Sequence, residues 1–327
     1  MTQFNNIVAL GAGRMGRGLA HMFAYAGREV TVLDVKERDT GEFQGLEKIA
    51  RGEIRTNMEF LVSLGVMTNE QVEKALALIS IRGLQDAQAV LGEADIVIEG
   101  VPETSEAKSR AMTLLDTHTR GDTIITSTTS TMAVTELQQQ FQLPGRFLNT
   151  HFLNPAYLIP LVEVSPGPDT DESVIEDVMA LFEDIGKQPV RCSASPGYII
   201  PRLQSLLIAE ACRMVEEGVV TAGDLDKAIK YGFGPRFASM GVMEFIDWGG
   251  LDIAYYAGHY LADALDSPSH SPPESLNKMM DEGKTGLHAG QGYYDFRQLD
   301  VSSWQKEKLS RFVTLLGELD QIPQAGI

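Results

Sequence analysis

Two groups of residues in this chain have the types and spacing to do chemistry. The first is His151 with Glu163. A histidine titrates near neutrality, so it can take a proton from an alcohol and return it. A carboxylate bonded to one ring nitrogen fixes the tautomer and stabilises the charged ring. A buried structural histidine with an unrelated strand glutamate would show the same spacing. The second group is Gly11, Gly13 and Gly16, with Asp34 further on. Gly11 lets the chain turn sharply, Gly13 lets the backbone approach a pyrophosphate, and Gly16 lets a helix pack tightly on a strand. A helix start there offers free N–H groups and a positive dipole end to phosphates. Asp34 would accept hydrogen bonds from a ribose 2′-hydroxyl and repel a 2′-phosphate, which favours NAD over NADP.

The glycine spacing carries weight only in a strand–turn–helix–strand context, and the flanking text supplies one. Ile7–Leu10 reads as a short apolar strand. Leu19, Ala20, Met22 and Phe23 follow at helical spacing, and Val30–Leu33 reads as a second strand that ends on Asp34. A polar stretch, 36–45, comes next. Two helices, 46–64 and 69–78, look too long for a simple crossover and are expected to project from the sheet as an arm. Strands are expected at 94–99, 122–127, 147–152, 161–164 and 188–192, with helices at 105–118, 133–141 and 172–185. Strands alternating with helices predict an α/β fold, a Rossmann-type doubly wound parallel sheet. Ligands of such sheets bind beyond the carboxyl ends of the strands. Gly11, Asp34, Glu99, Gly100 and Ser130 all fall at such ends.

Ser193 to Gly197 reads as a linker, punctuated by Pro196 and Gly197. Beyond it no strand is apparent. Helices are expected at 199–217, from Thr221 onward, at 243–265 and at 273–282. The domains are therefore placed at 1–193, binding the dinucleotide, and 194–327, all-helical.

Composition bounds the function. Lys and Arg total 27 against 45 Asp and Glu, a net charge of −18. A nucleic-acid partner would need a basic surface, so none is expected. No run approaches a transmembrane length, and the first apolar stretch is too short for a signal peptide. The chain has 2 cysteines, too few for a disulfide framework and in keeping with a cytoplasmic setting. The histidines are scattered with no metal-ligand spacing, so no metal is expected. Ser130 would donate to a reacting oxygen, although hydroxyl runs also make helix caps and turns. Asn154, before Pro155, would also serve as a plain turn residue.

Seven segments together resemble the 3-hydroxyacyl-CoA dehydrogenase family: Gly11-Ala-Gly-Arg-Met-Gly16, Ile98-Glu-Gly-Val-Pro-Glu103, Ser127-Thr-Thr-Ser130, His151-Phe-Leu-Asn-Pro155, Leu161-Val-Glu-Val164, Ser195-Pro-Gly-Tyr-Ile199 and Gly290-Gln-Gly-Tyr-Tyr294. They span nearly the whole chain in order. The resemblance implies NAD-dependent oxidation of an L-3-hydroxyl to a ketone and a homodimer built on the helical domain. It implies His151 as the base, Glu163 as its orienter, and Ser130 on the reacting oxygen, which Asn154 is expected to help position. It adds Arg14, Met15, Val101 and Glu103 to the coenzyme contacts at Gly11, Gly13, Gly16, Asp34, Glu99 and Gly100.

The chain also departs from the family pattern. Pro201 stands where the family has an asparagine near the nicotinamide, and Ser127-Thr128-Thr-Ser130 replaces Ser-Asn-Thr-Ser. The loop after Asn154 lacks a lysine often seen before the Leu-Val-Glu strand. Tyr231-Gly-Phe-Gly-Pro-Arg236 looks more like relatives that act on free acids, such as L-gulonate and L-carnitine dehydrogenases. Arg236 would hold a substrate carboxylate bidentately, or serve in an ordinary salt bridge. The helices near 46–64, where the family receives CoA, are not notably basic. The expected substrate is therefore a small free 3-hydroxy acid. One rival is an acyl-CoA substrate. The other is a coenzyme-binding structural protein without turnover.

Overall fold

The computed structural model describes residues 4–322. Two compact units divide the chain, Met1–Leu207 and Ile208–Ile327.

The first unit opens with β1 (Ile7–Leu10), α1 (Arg14–Tyr25) and β2 (Val30–Leu33). Then come α2 (Thr40–Ser63), α3 (Asn69–Ala77), β3 (Ile79–Arg82), α4 (Ala87–Glu93), β4 (Ile96–Glu99), α5 (Ser105–His118) and β5 (Ile124–Ser127). After α6 (Val134–Gln138) follow β6 (Phe147–Phe152), β7 (Leu161–Pro166), α7 (Glu172–Asp184) and β8 (Gln188–Arg191). Helix α8 (Ile200–Glu216) carries the chain across the division.

The eight strands form one sheet in the order β3-β2-β1-β4-β5-β6-β7-β8. Every neighbouring pair is parallel except β6 with β7. Successive strand side chains alternate faces, and both faces are covered. Ile7, Ala9, Val32, Ile96 and Ile98 pack with apolar residues of α1, α2, α3 and α7. Val8, Leu10, Val97 and Ile125 pack with those of α4, α5 and α6 on the other face. Strands buried on both sides read as largely apolar runs, and hence the strands β1, β2 and β4 stand out in the sequence.

The stretch between Asp34 and β4 is where expectation and structure differ. The segment 36–45 is not all loop. Helix α2 already begins at Thr40, held by a capping box in which Asp39 accepts from Glu42 N–H and Glu42 reaches back to Asp39 N–H. Residues 79–82, given no strand in the sequence reading, form β3 beside β2. Helices α2 and α3 do not project as an arm. Ala50, Ile54, Met58, Leu61, Val72 and Ala75 are buried in the same core cluster as α1. The expected long helix 243–265 is interrupted at Gly250, whose φ of 101° is unfavourable for any residue with a side chain.

The second unit is helical: α9 (Ala222–Ala228), a π turn (Ile229–Phe233), α10 (Gly234–Ser239), α11 (Val242–Gly249), α12 (Leu251–Ala264), α13 (Glu274–Asp281) and α14 (Val301–Glu318). Thr221 caps α9 by accepting from Asp224 N–H. Asp247, fully buried on α11, accepts from the N–H groups of Tyr293 (3.0 Å) and Tyr294 (2.8 Å). A Cβ at Gly292 would come within 2.2 Å of that carboxylate, so only glycine fits there. Among the described residues no helix is long and apolar enough to cross a membrane.

Candidate active site

The antiparallel β6–β7 pair places His151 directly opposite Glu163. Side chains that face each other across two strands are close enough to bond. His151 Nδ1 lies 2.7 Å from Glu163 Oε2. Glu163 is fully buried and His151 is 5% exposed, so water does not compete strongly for this bond. The other carboxylate oxygen, Oε1, accepts from the N–H groups of Ile199 (2.7 Å) and Ile200 (2.8 Å), where α8 begins. A helix start carries free N–H groups and the positive end of the dipole, which favour an ionised acid. Both oxygens are thereby committed, and Nε2 is the ring nitrogen left for a substrate.

Tyr198 fixes the ring from its face. Its ring stacks on His151 with centroids 4.9 Å apart and planes 11° from parallel. Its hydroxyl donates to Thr129 C=O (2.7 Å) and accepts from Asn149 Nδ2 (3.1 Å). Burial, with the nearby acids Glu103 and Glu163 adding to it, pushes that hydroxyl above its ordinary pKa despite the Asn149 bond, so it remains a donor. Tyr198 sits at φ 45°, directly after Gly197 at φ 76°. Two left-handed residues in succession are an unfavourable backbone, held here by the anchored ring and hydroxyl. Sequence reasoning missed Tyr198. The only signal was its place in Pro196-Gly-Tyr, just ahead of a helix.

Glu103 and Ser130 come together through one hydrogen-bonded loop. Glu103 Oε1 accepts from Thr129 Oγ1, Ser130 N–H (3.0 Å), Thr131 N–H (3.2 Å) and Thr131 Oγ1 (3.0 Å). Burial would raise its pKa, but these bonds and Lys108 outweigh that and leave it below the usual range. Ser130 enters this network through its backbone N–H, and the residue itself is exposed. Glu99 is fully buried, with Lys108 Nζ at 2.8 Å, Ser127 Oγ at 2.6 Å and Val101 N–H at 2.6 Å on its carboxylate. That carboxylate therefore fixes the turn at Gly100 and Val101 from beneath. The buried Lys108 was a second residue not singled out in the sequence.

At the turn after β1, Gly11 has φ +102° and its N–H donates to Leu33 C=O (2.8 Å). A Cβ on Gly16 would fall 1.8 Å from Gly11 C=O, so the turn requires glycine there. A Cβ on Gly13 would meet nothing within 4 Å. The space in front of it belongs to a cavity of about 280 Å³ lined by Gly11, Gly13, Arg14, Asp34, Gly100 and Val101. The first α1 backbone bond runs from Arg17 N–H to Gly13 C=O (3.0 Å), which leaves the preceding amides of the turn without helical partners. Met15 borders Gly100, where a Cβ would lie 3.1 Å from Met15 Cγ. Asp34 is buried at the end of β2 and accepts from Arg38 Nε at 2.6 Å. Free amides, open space and a buried acid at the end of β2 fit a dinucleotide.

Asn154 is exposed in the loop after β6. Arg236 is exposed on α10 in the second unit, its guanidinium carbon 4.8 Å from the centre of the Phe245 ring. Its backbone C=O accepts from Ser239 Oγ (3.0 Å).

Residues 6–195 match a family model described as 3-hydroxyacyl-CoA dehydrogenase, NAD binding domain, and residues 197–296 match its C-terminal domain. The chain belongs to the 3-hydroxyacyl-CoA dehydrogenase family. It is 32% identical over 299 residues to the human mitochondrial hydroxyacyl-coenzyme A dehydrogenase, covering 89% of this chain and 91% of that one. It is 29% identical to a 5-formyl-3-hydroxy-2-methylpyridine 4-carboxylate 5-dehydrogenase of Mesorhizobium japonicum, covering 95% of this chain and 96% of that one. A solved 3-hydroxyacyl-CoA dehydrogenase of Archaeoglobus fulgidus superposes with a TM-score of 0.76 at 28% identity, covering 97% of this chain and 99% of that one. As a family member, the chain is an NAD-dependent oxidoreductase acting on a CH–OH group.

Proposed function

We propose that this dehydrogenase oxidises the L-3-hydroxyl of a small free 3-hydroxycarboxylate to a ketone. NAD, when bound, supplies the two-electron acceptor. His151 Nε2 takes the hydroxyl proton, because Nδ1 is committed to Glu163. The carboxylate stabilises the imidazolium that forms, and the stacked Tyr198 keeps the ring from turning. Ser130 and Asn154 hold the reacting oxygen. Arg14, Met15 and the turn at Gly11, Gly13 and Gly16 receive the pyrophosphate, while Asp34 takes the ribose hydroxyl. Gly100, Val101 and Glu103 close the same side, with Glu99 fixing that turn.

The single observation behind the chemistry is the buried His151–Glu163 bond, secured again by two α8 amides. The preference for a free acid rests on charge. Arg51 and Arg55 of α2 are paired with Glu47 (3.0 Å) and Glu73, so nearby acids offset part of the positive charge that CoA phosphates would meet there. Arg236 has a fork of donors suited to a carboxylate. The names of the human and archaeal relatives favour a second reading, a 3-hydroxyacyl-CoA substrate. The same proposal divides the labour between residues 1–193 for coenzyme and 194–327 for substrate, in a cytoplasmic homodimer. Ile253, Tyr256 and Tyr260, exposed along one side of α12, suit such an interface.

Initial rates of NADH formation with 3-hydroxybutyrate, longer free 3-hydroxy acids and 3-hydroxybutyryl-CoA decide between the readings. The free acids are expected to give the higher kcat/KM. A large excess for the CoA ester would overturn that preference. NADH binding without turnover on any of them would leave a non-catalytic coenzyme binder.

A further inference from the structure

We propose that Lys187 is a positioning residue for this reaction, an internal strap that fixes the loop carrying Asn154. The inference rests on the proposed roles of His151 and Asn154. Loop 153–160 leaves β6 just after His151 and enters β7 just before Glu163. Its conformation therefore bears on both strands of the acid–base pair.

Hydrogen bonds, a ring stack and apolar packing hold this loop. Lys187 Nζ donates to Ala156 C=O (2.5 Å) and Ile159 C=O (2.9 Å), and Gln188 N–H donates to Pro160 C=O (2.9 Å). Tyr157 stacks on His21 of α1, with centroids 3.9 Å apart and planes 18° from parallel. Ala156 is buried against the same helix, within 3.9 Å of where a Gly18 Cβ would stand. The loop is thus tied to the helix whose first turn addresses the coenzyme.

Lys187 is a costly choice of strap. It is 5% exposed, and among the described residues no carboxylate lies within salt-bridge range of it. Burial alone pushes its pKa below the ordinary lysine value. A buried amine without a counter-ion is unfavourable unless its hydrogen bonds are needed. Those bonds go to the loop's own carbonyls, which a methionine of similar length would leave unpaired. His21 does not add a second charge. Burial, and then Lys187, push it down to about 4, so the ring is neutral at working pH.

The test compares full-length Lys187→Met and Lys187→Arg with wild type in three measurements. Hydrogen exchange of residues 153–160 should speed up by about tenfold or more in Lys187→Met, because opening the loop becomes easier. With whichever of 3-hydroxybutyrate and 3-hydroxybutyryl-CoA the wild type oxidises, kcat/KM should fall about tenfold, mostly through KM, as expected when a positioning contact loosens. NADH affinity should stay within about twofold of wild type, and Lys187→Arg should recover most of the loss. Unchanged loop exchange, or faster exchange with unchanged kcat/KM, overturns the proposal. If Lys187→Met does not fold, Tyr157→Leu removes the His21 contact instead. It should speed loop exchange by about threefold and raise KM, and no change in either would count against the strap. A wild type inert on these two substrates and on the longer free 3-hydroxy acids overturns the proposed function instead, and loop exchange then decides the strap by itself.

Discussion

At the turn after β1 the chain withholds side chains, and at the β6–β7 pair it buries them. The coenzyme end has glycine at positions 11, 13 and 16, amides without helical partners and an open cavity. The acid–base end has a histidine, a glutamate and a tyrosine whose polar groups are nearly all spoken for. On the proposed function, the difference follows from what each end must do. A pyrophosphate brings its own charge and asks only for donors and room. A proton shuttle needs one nitrogen left free and everything else held still. Variants should therefore separate the two ends cleanly, affinity at one and turnover at the other.

His151→Ala carries the largest expected effect. It should lower kcat about 10²–10⁴-fold, the usual share of general acid–base catalysis, with NADH affinity unchanged by fluorescence titration. Glu163→Gln should lower kcat within the same range of about 10²–10⁴-fold, because an amide NH₂ facing Nδ1 selects the wrong tautomer. Gly13→Val tests the other end. Its Cβ meets no protein atom within 4 Å, so thermal stability should hold. The NADH Kd should rise by about 10–10²-fold, matching the roughly 1–3 kcal/mol of an overfilled site. Loss of turnover at saturating NAD in that variant would blur the comparison.

The smallest effect concerns stability and acid. Burial holds His21 neutral, its pKa lowered to about 4 from the ordinary 6.5 of a free histidine. Its folded pKa is depressed, so the unfolded chain binds the proton more readily. Stability is then full above pH 6.5 and falls as pH drops toward 4, by about 3 kcal/mol at the limit. Urea midpoints between pH 7 and 4 should fall less steeply in His21→Gln than in wild type. Equal slopes would show that His21 does not titrate this way.

How legible each end was in the sequence follows from the same contrast. The coenzyme end is local. Strand, glycines, helix and Asp34 lie within thirty-odd residues, and the strands β1 and β2 are apolar on both faces, so the reading matched the structure closely. Helix α5 and strand β6 were also placed at their observed bounds. Strand β3 was missed because Ile79-Ser-Ile-Arg82 is short, half polar and follows a helix directly, as an edge strand can. The start of α2 was missed because its first turn is polar, although Asp39 and Glu42 carry a capping-box spacing. At the acid–base end His151 and Glu163 were legible as residue types. Their support was not, because Tyr198 and the α8 amides reach them from more than thirty residues away. Lys108 and Lys187 were silent for a related reason: a lysine on a helix, or in the turn before a strand, reads as surface, and only packing shows it buried.

The central claim is that Glu163 holds the His151 proton on Nδ1 and leaves Nε2 bare. Nitrogen-15 NMR of histidine-labelled enzyme above the histidine titration range reads this directly. The account predicts a protonated Nδ1 and an unprotonated Nε2 for His151, with the pattern reversed in Glu163→Gln. A His151 ring carrying its proton on Nε2 in the wild type would contradict it.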